Sequence, residues 1–440
     1  MEIKERNISY EEAVSYIEST PKFTSKNSLE HTKRCLALLG SPEKCFRIIH
    51  VAGTNGKGST CAFLDSVLRC AGYTCGLFTS PHLVKINERF VVNGVMTGDD
   101  EFLRAFCRVM EMVDQAGKEG LAHPTYFELL FLMSMVIFRD AGVSFVILET
   151  GLGGRLDATT AAEAPVLCVI TSVSIDHVQY LGNTIREIAG EKAGILVKGV
   201  PCILDGNDAD ALSVLREKAL RTGAPFRIVK RSETRILRYL PEGIVFWYGS
   251  ACGGKEYTIP FIADYQVMNA ALCIASAEEL NSRYPGMIPE RALSEGLRSA
   301  CWPGRMEQIL PGVIVDGAHN EDGIRRFLET AQRYSGKASL TLLYSSVSDK
   351  NYKNMISEIT KAGLFRSIVT TQVGGHRQAP AQTLAELFRQ GGALDTTAEP
   401  DPEAALRCAF RKKGEDGILF CVGSLYLVGM IKALNGGKIR

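Results

Sequence analysis

The stretch that decides the fold of this 440-residue chain is CFRIIHV, residues 45–51, followed at once by Ala52 and Gly53-Thr-Asn-Gly-Lys-Gly-Ser59. The first part is a short apolar run, which is typical of a strand covered on both faces. The glycines predict a tight turn, and the apolar spacing from Phe63 to Ala71 predicts a helix. A strand, a glycine-rich turn and a helix in this order predict a phosphate-binding loop.

The residue types of this turn suit phosphate chemistry. Glycines let backbone N–H groups converge on phosphate oxygens, and the start of a helix adds partial positive charge. Lys57 supplies a point charge for the β- and γ-phosphates. Because Gly58 separates Lys57 from Ser59, the loop departs from the GxxxxGK[ST] pattern, which disfavours an ordinary P-loop kinase or GTPase. The alternative is a plain strand-to-helix turn, and Lys57 favours phosphate binding. The candidate nucleotide-binding residues here are Gly53, Thr54, Asn55, Gly56, Lys57, Gly58 and Ser59.

Apolar runs alternate with helical patterns along most of the chain, which predicts α/β architecture with a mainly parallel sheet. A small antiparallel section is expected at 225–262, where short strands follow one another. A second alternation begins after Trp302-Pro-Gly-Arg305 and predicts a smaller, Rossmann-like α/β domain. We therefore expect an ATP-binding P-loop domain over residues 1–300 and a C-terminal domain over 301–440. Predicted strands outside the antiparallel section, besides the first, are 75–80, 143–150, 165–171, 201–205, 313–318, 339–347, 366–371 and 417–423.

The composition excludes several classes of function. The chain has 50 basic and 49 acidic residues, so a net charge of +1 favours neither a nucleic-acid nor a membrane partner. The N-terminus is charged and unlike a signal peptide, and no apolar run is long enough to span a bilayer. Thirteen cysteines, an odd number without a CxxC pair, are expected to be reduced thiols in a core. These features predict a cytoplasmic protein.

Ordered motifs extend the first signal along the chain. Together they resemble the folylpolyglutamate synthases, members of the muramyl ligase superfamily. The resemblance covers roughly residues 45–430. Its motifs are HVAGTNGKGS (50–59), TSPHL (79–83), NERF (87–90), ETGLGGRLDAT (149–159), DH (176–177), LG (181–182), EKAGI (191–195), WPGR (302–305), DGAHN (316–320), DK (349–350) and GSLYLVG (423–429).

A metal site is expected beside the phosphate loop. Glu149 ends a predicted buried strand, where a carboxylate can hold Mg²⁺ between phosphates; capping of the next helix is the alternative. The resemblance adds Ser80 and His177 as metal ligands, although Mg²⁺ prefers oxygen and a lone histidine is more often structural. It also implies that Lys192 is carbamylated, whereas alone it reads as a solvated helix lysine. The implied cofactors are ATP and Mg²⁺, with a monovalent cation such as K⁺ as a further candidate.

The resemblance also assigns nucleotide and substrate contacts. Asn269, Arg305 and Asp316 are expected to bind ATP, although relatives usually have histidine where Tyr265 stands. Arginine suits a bidentate phosphate clamp and aspartate a ribose hydroxyl, with an interdomain salt bridge as the alternative for Arg305. Catalytic roles fall to Lys57, Lys192 and His319. Candidate pterin-site residues are Thr125, Tyr126, Phe127, Glu128 and Asp157, with Ser28-Leu29-Glu30 as a looser match; packing of a helix start is the bland interpretation.

The implied reaction joins L-glutamate to a reduced folate, to dihydropteroate or to both, through an acyl phosphate formed from ATP. Between these acceptors the sequence does not choose. The partners expected are small molecules, and the chain is expected to be a monomer. Three alternatives remain open: another ligase of the superfamily, a nucleotide switch or kinase without ligase activity, and a non-catalytic nucleotide-binding module.

Overall fold

The computed structural model describes residues 8–21, 27–250, 253–373 and 375–435. Its residues cluster into two compact units. The first comprises residues 1–235, Phe246–Ile259 and Met268–Cys301, and the second comprises Ile236–Val245, Pro260–Val267 and Trp302–Arg440. The expected domain division at residue 300 stays a prediction.

An eight-stranded, largely parallel sheet organises the first unit. Its order is β4-β3-β2-β5-β1-β6-β7-β8, and all pairs from β2 to β8 are parallel, whereas β3 and β4 add antiparallel pairs at one edge. The predicted mainly parallel α/β sheet is therefore confirmed. The strands are β1 (Arg47–Ala52), β2 (Cys75–Phe78), β3 (Phe90–Val92), β4 (Val95–Met96), β5 (Phe145–Glu149), β6 (Leu167–Ile170), β7 (Cys202–Asp205) and β8 (Phe226–Val229).

Buried apolar residues line both faces of this sheet. On one face, Ile48, Val146 and Leu148 join the apolar sides of four helices, and Ile170 and Leu204 join those of three more. On the other face, Ile49, Val51 and Ile147 are buried as well. Burial on both faces explains why the central strands read as continuous apolar runs. The helices of this region are α1 (Tyr10–Ser19), α2 (Leu29–Leu38), α3 (Lys57–Cys70), α4 (Asp99–Lys118), α5 (Tyr126–Asp140), α6 (Val178–Leu181), α7 (Ile185–Lys192), α8 (Ala209–Thr222), α9 (Tyr265–Arg283) and α10 (Glu290–Ser299).

The antiparallel section begins later than expected. We predicted that FRIVKR, from residue 226, belongs to it, but Phe226–Val229 pairs in parallel with β7 as the last strand of the large sheet. The prediction was wrong because helix α8 provides the crossover that a parallel pair needs. A separate three-stranded sheet of order β11-β10-β9 does follow. Its strands, β9 (Thr234–Leu240), β10 (Gly243–Ser250) and β11 (Gly253–Ile259), are separated by two residues each, a spacing that only antiparallel hairpins allow.

The second unit contains a six-stranded sheet of order β12-β13-β17-β14-β15-β16. All pairs are parallel except β12 with β13, which confirms the expected Rossmann-like α/β arrangement with one added edge strand. The strands are β12 (Glu307–Leu310), β13 (Val313–Val315), β14 (Leu340–Tyr344), β15 (Ser367–Thr370), β16 (Thr396–Ala398) and β17 (Ile418–Val422), and the helices are α11 (Glu321–Ala331), α12 (Tyr352–Ala362), α13 (Ala381–Gln390), α14 (Pro402–Lys413) and α15 (Leu425–Asn435).

Two further expectations concern cysteines and membranes. Every described cysteine is a free thiol, and many are buried in the core, as expected; Cys252 lies outside the described residues. Among the described residues, no helix combines the length and the apolar composition needed to cross a bilayer.

Candidate active site

The predicted phosphate loop forms a turn at the carboxyl end of β1 and leads directly into α3. Two glycines allow it. A Cβ at Gly53 would lie 1.8 Å from Thr171 Oγ1, and one at Gly56 would lie 2.3 Å from Asn269 Oδ1. Both glycines have positive φ, 152° and 86° respectively, which other residues adopt at a cost. The loop therefore lies against Asn269 at Gly56, and binding of ATP by Asn269 stays a prediction.

The end of α3 that faces the loop is suited to an anion. Gly56 occupies the N-cap position, no side chain among the described residues caps the helix by a hydrogen bond, and its first turn contains no acidic residue. Backbone N–H groups at such an end attract phosphate. Gly58 and Ser59 lie buried in this first turn. The helix start thus presents polar backbone that a phosphate group can satisfy.

The segment that follows β6, residues 171–174, holds the phosphate loop by hydrogen bonds. Thr54 N donates to Ser172 O at 2.7 Å, and the Thr54 hydroxyl donates to Ser174 O at 3.1 Å. Asn55 O accepts from the Thr171 hydroxyl at 2.8 Å. Sequence reasoning did not single out residues 171–174. Three hydroxyl residues, Thr171, Ser172 and Ser174, directly after a buried strand were the signal for them.

Lys57 and Glu149 face each other beneath the loop. Lys57 Nζ donates to Thr54 O at 3.1 Å and lies 3.9 Å from Glu149 Oε1. Glu149 Oε2 accepts from Ser80 N at 2.9 Å. The structure thus brings Lys57, Ser80 and Glu149 together at the carboxyl ends of β1, β2 and β5.

The oxygen atoms at this place suit a magnesium ion that keeps most of its ligands as phosphate and water. Such sites need only one or two carboxylates from the protein. Glu149 is 3% exposed and Ser80 is half-buried. Among the described residues, no group of three or more His, Cys, Asp and Glu side chains is arranged to enclose a metal. Glu149 and the neighbouring Ser80 therefore suit a metal that a nucleotide also binds, and their role as metal ligands stays a prediction.

His177 follows β6 in an unusual backbone conformation. Its φ is 50°, it precedes the short helix α6, and its backbone N–H donates to Asp176 Oδ1 at 2.8 Å. Its Nε2 lies 3.9 Å from Asp176 Oδ2. A left-handed non-glycine residue in a loop marks a conformation that surrounding structure enforces. Its role as a metal ligand stays a prediction.

Lys192 is buried, which contradicts the interpretation as a solvated helix lysine. It ends α7, is 3% exposed, and its Nζ donates to Gly53 O at 2.7 Å. Burial, and secondly the charge of Lys57, lower the pKa of Lys192 from 10.5 to about 7, although the nearby Asp176 and Asp157 oppose the shift. The amine is therefore poised to lose its proton near neutral pH.

Asp157 organises the glycine-rich loop that follows β5. Its carboxylate accepts from Leu152 N at 2.8 Å, Thr159 N at 3.1 Å and the Thr159 hydroxyl at 2.6 Å. The Thr159 hydroxyl in turn lies 2.8 Å from Nε2 of His50, whose pKa burial lowers to about 4. Asp157 is 1% exposed. The described contacts hold the loop in shape, and direct binding of substrate by Asp157 stays a prediction.

The expected pterin segment starts helix α5. Thr125 and Glu128 form a capping box, and the Glu128 carboxylate also accepts from Asn27 Nδ2 at 2.8 Å, which ties α5 to the residue before Ser28. Ser28 itself caps α2. These contacts fit a packed helix start, and binding of the pterin by Thr125 and Glu128 stays a prediction.

The two aromatic residues of this segment contact neighbouring segments of the first unit. The Phe127 ring is half-buried, lies 5.6 Å from that of Phe78, and contacts Gly151 so closely that a Cβ there would be 2.5 Å from Phe127 Cζ. The buried Arg89 guanidinium, which belongs to the NERF motif but was given no role from the sequence, lies 5.7 Å from the centroid of the Tyr126 ring. These contacts place Phe127 beside the loop after β5, where a flat ring could stack.

Arg305, Asp316 and His319 belong to the second unit and form a cluster of their own there. The buried Asp316 accepts from the Tyr265 hydroxyl at 2.8 Å, Met306 N at 2.9 Å and Ala318 N at 2.8 Å. Burial raises the pKa of Asp316, whereas the charge of Arg305 and these hydrogen bonds oppose the rise.

Two more side chains complete the cluster. Arg305 Nη1 donates to Gly304 O at 3.1 Å, and a Cβ at Gly317 would collide with that Nη1. His319 Nδ1 lies 2.8 Å from Gly317 O. The Tyr265 hydroxyl is therefore an integral member of this cluster. Binding of ATP by Arg305 and Asp316, and a catalytic role for His319, stay predictions.

Models of two known protein domains match most of the chain. The Mur ligase middle domain model matches residues 51–277, and the Mur ligase glutamate ligase domain model matches residues 304–425. The dihydrofolate synthase/folylpolyglutamate synthase of Bacillus subtilis is 38% identical over 96% of this chain and 98% of its own length. The folylpolyglutamate synthase of Lacticaseibacillus casei is 30% identical over 98% of this chain and 100% of its own.

Solved structures agree with these relatives. Mycobacterium tuberculosis folylpolyglutamate synthase in complex with ADP superposes with a TM-score of 0.87 at 26% identity and covers 98% of this chain and 99% of its own. E. coli FolC in complex with DHPP and ADP gives a TM-score of 0.83 at 27% identity over 97% of this chain and 98% of its own. With its phosphate loop, buried lysine and two matching domain models, the chain belongs to the Mur ligase family, in the branch of the folylpolyglutamate and dihydrofolate synthases.

Proposed function

We propose that this protein is an ATP-dependent ligase that joins L-glutamate to the carboxylate of a reduced folate, of dihydropteroate or of both, with release of ADP and phosphate. The observation that carries the proposal is the phosphate loop itself: Gly56 opens α3 against Asn269, and Lys57 faces Glu149 at 3.9 Å. The named activity of the B. subtilis and L. casei relatives supports the choice of substrates.

A carboxylate must be activated before an amine can replace its oxygen. The acceptor carboxylate attacks the γ-phosphorus of ATP, and ADP leaves; the glutamate amine then attacks the acyl carbon, and inorganic phosphate leaves. The first step is phosphoryl transfer, in which positioning and neutralisation of charge dominate. Lys57 and the first-turn amides of α3 would orient the phosphates. Ser80 and Glu149 would hold Mg²⁺, which offsets phosphate charge.

Lys192 is proposed to act through its neutral form. A pKa of about 7 leaves a large fraction of the amine unprotonated at neutral pH, and a neutral amine can add to CO₂ with loss of one proton. The resulting carbamate would carry a negative charge next to Lys57 and remove the repulsion between the two ammonium groups. A ¹³C-carbamate signal that appears with labelled bicarbonate and is absent from Lys192→Met would support this; equal spectra would refute it.

The acceptor is proposed to lie along the segment that starts α5. Phe127 borders the loop after β5 at Gly151, and its ring is half-buried. A bound pteridine ring would extend this aromatic surface. The same segment serves either acceptor, because both carry the pteridine. We propose further that His177 is a metal ligand and that a monovalent cation such as K⁺ is a cofactor. The protein is also proposed to be a monomer and to act in the cytoplasm.

The decisive experiment incubates the protein with MgATP, L-glutamate and either dihydropteroate or tetrahydrofolate. Mass spectrometry should show one glutamyl unit added to at least one acceptor, and ADP release should require both the acid and glutamate. ADP release at the same rate with and without glutamate would support a nucleotide switch. Ligation of another acid alone would support a different ligase of the superfamily. Lys57→Met serves as the inactive control.

A further inference from the structure

A cavity lies at the amino edge of the large sheet in the first unit, at the end of β1 opposite to the phosphate loop. Arg47 and Phe145 begin the neighbouring strands β1 and β5, Tyr73 precedes β2, and all three residues line the cavity. Its volume is about 460 Å³, which is in the range of small-molecule sites. Strand β1 is six residues long, so the cavity lies roughly 15–20 Å from the phosphate loop. A ligand here would therefore be separate from the catalytic residues.

The charge around this cavity is positive. Lys44 and Arg47 line it, both are exposed, and its other lining residues include no acidic side chain. Among the described residues, no carboxylate oxygen lies within 4.0 Å of either basic group. Glu43 precedes Lys44 in sequence, but the Oε2 atom of Glu43 is buried. An anion in the cavity would therefore meet two cations that no carboxylate in direct contact neutralises.

Arg47 is oriented by aromatic rings, and its hydrogen-bond donors remain available. Its guanidinium carbon lies 5.5 Å from the centroid of the Phe145 ring and 5.4 Å from that of the Tyr284 ring. Such stacking orients the plane of the guanidinium and leaves the N–H groups at its edge for other partners. Among the described residues, the Arg47 side chain has no hydrogen-bond acceptor. An oriented guanidinium with available donors suits a carboxylate or a phosphate.

Aromatic side chains form the apolar part of the cavity. Phe46, Tyr73 and Phe145 line it, and the rings of Tyr73 and Phe145 meet edge to face with centroids 5.0 Å apart. Phe46 and Tyr73 are half-buried, so part of each side chain is accessible. Aromatic side chains can stack on a flat ring. Basic and aromatic residues in one cavity favour a ligand that combines a planar ring with a negative charge.

We propose that this cavity binds a small planar aromatic anion at a site separate from the catalytic centre. Arg47 and Lys44 bind the anionic group, and Phe46 and Tyr73 contact the ring. Two kinds of small molecule have this chemistry: a pteroylglutamate carries carboxylates, and a nucleotide carries phosphate. The inference does not depend on the proposed function, because the cavity shares no residue with the candidate active site.

The exposed thiol of Cys45 lines the cavity and can report whether a ligand is bound. The full chain is alkylated with iodoacetamide, and mass spectrometry of its peptides gives the labelling rates of Cys45 and of Cys70, which is exposed elsewhere. The probes are folic acid and adenosine monophosphate. Adenosine and inorganic phosphate are controls that each lack one of the two features. Either probe should slow the alkylation of Cys45 several-fold and leave Cys70 unchanged, whereas the two controls should protect Cys45 much less.

Three variants test whether the two basic residues hold the probe. In Arg47→Gln and in Lys44→Gln the probe concentration that gives half-protection should rise roughly 3- to 10-fold, because each variant loses a charged partner of the anion at an exposed site. Arg291→Gln removes an exposed arginine that lies 3.6 Å from Glu295, and it should match wild type. The rate with probe is divided by the rate without probe in the same variant, so a change in the reactivity of the thiol itself cancels.

Two further variants separate this site from the candidate active site. Lys57→Met and Phe127→Ala alter the proposed nucleotide and acceptor sites, and both should leave the protection of Cys45 unchanged. Protection by folic acid alone assigns the cavity to a pteroylglutamate, and protection by adenosine monophosphate alone assigns it to a nucleotide. The measurement involves no turnover, so its result is independent of the ADP release that tests the proposed function.

Several results would overturn the proposal. Labelling of Cys45 that neither probe slows would show that the cavity binds no such ligand. Equal protection by adenosine or by phosphate alone would show that ring and charge are not recognised together. Unchanged half-protection in both Arg47→Gln and Lys44→Gln would leave Arg47 with a structural role in packing against Phe145 and Tyr284. If Arg47→Gln has lost its thermal transition, Lys44→Gln decides the matter.

Discussion

Replacement of Gly56 by alanine tests whether the shape of the phosphate loop positions Asn269. Gly56 has φ 86°, and an added Cβ would lie 2.3 Å from Asn269 Oδ1. A left-handed alanine costs roughly 1–2 kcal/mol. The same Cβ must also displace the Asn269 amide, and loss of its hydrogen bond to a nucleotide would cost about another 0.5–1.5 kcal/mol.

Gly72, at the other end of the same helix α3, is a matched control. Its φ is 89°, and a Cβ there would meet nothing within 4 Å. Gly72→Ala therefore carries the backbone cost without the collision. Both variants should lose a few degrees in thermal midpoint, at about 2–4 °C per kcal/mol for a unit of this size.

The two variants should differ in nucleotide affinity, measured by calorimetric titration with ADP. Gly56→Ala should bind ADP roughly 2- to 13-fold more weakly than wild type, which is the cost of the lost hydrogen bond expressed as a ratio. Gly72→Ala should bind ADP as wild type does. Equal affinities for the two variants would refute the reasoning, because the collision with Asn269 would then have no consequence at the nucleotide site.

Three other perturbations have defined outcomes. The folded-state pKa of Lys192, about 7, lies below its ordinary value of 10.5, so its burial costs stability below pH 7 and that cost declines as pH rises toward 10.5. Urea unfolding of the wild type at several pH values should therefore show a steeper gain over this window than Lys192→Met, by up to about 1.4 kcal/mol per pH unit; parallel profiles would contradict it. Glu149→Gln keeps an acceptor for Ser80 N but removes the charge facing Lys57, so the rate of ADP release should fall roughly a hundred-fold and require more Mg²⁺; an unchanged Mg²⁺ titration would argue against a metal at Glu149. Tyr265→Phe removes one hydrogen-bond donor to the buried Asp316, which should lower the free energy of unfolding by about 1.5–3 kcal/mol and raise the KM for ATP. Tyr334→Phe, whose ring packs on Phe420, should leave that KM unchanged. The same KM in both variants would exclude Tyr265 as a positioning residue.

The central strands were predictable because burial on both faces leaves a mark in the sequence. The strands at the sheet edges were not predictable, because they are short and only partly buried. The hairpin of β3 and β4 turns at Asn93-Gly94, where both residues have positive φ, and an Asn-Gly pair is the strongest local hairpin signal. It was passed over because β4 is only Val95–Met96, both exposed. Strand β8 was misplaced for a related reason: its first three residues are half-buried and resemble an antiparallel strand.

Within the candidate site, local chemistry was predictable and long-range partners were not. The loop from Gly53 to Ser59 could be predicted to bind phosphate, because the glycines, the lysine and the helix start are adjacent in sequence. Nothing local indicates that Thr171 lies against Gly53, or that the Tyr265 hydroxyl binds Asp316, 51 residues away. Such pairs are set by the order of strands in each sheet. The sequence pattern constrains that order only through the crossover connections.

Lys192 shows how the phosphate loop and its charge are joined in one contact. Its amine donates to the carbonyl of Gly53, the residue whose φ of 152° opens the loop. A buried ammonium beside the charge of Lys57 is costly, and such costs persist where a site needs them. Because a neutral amine still donates to the loop carbonyl, although more weakly than an ammonium, loss of the proton relieves the repulsion and keeps this contact. A carbamate would go further and reverse the charge. The contact with Gly53 is therefore compatible with both the charged and the neutral amine, and the titration of Lys192 changes the balance of charge around Lys57.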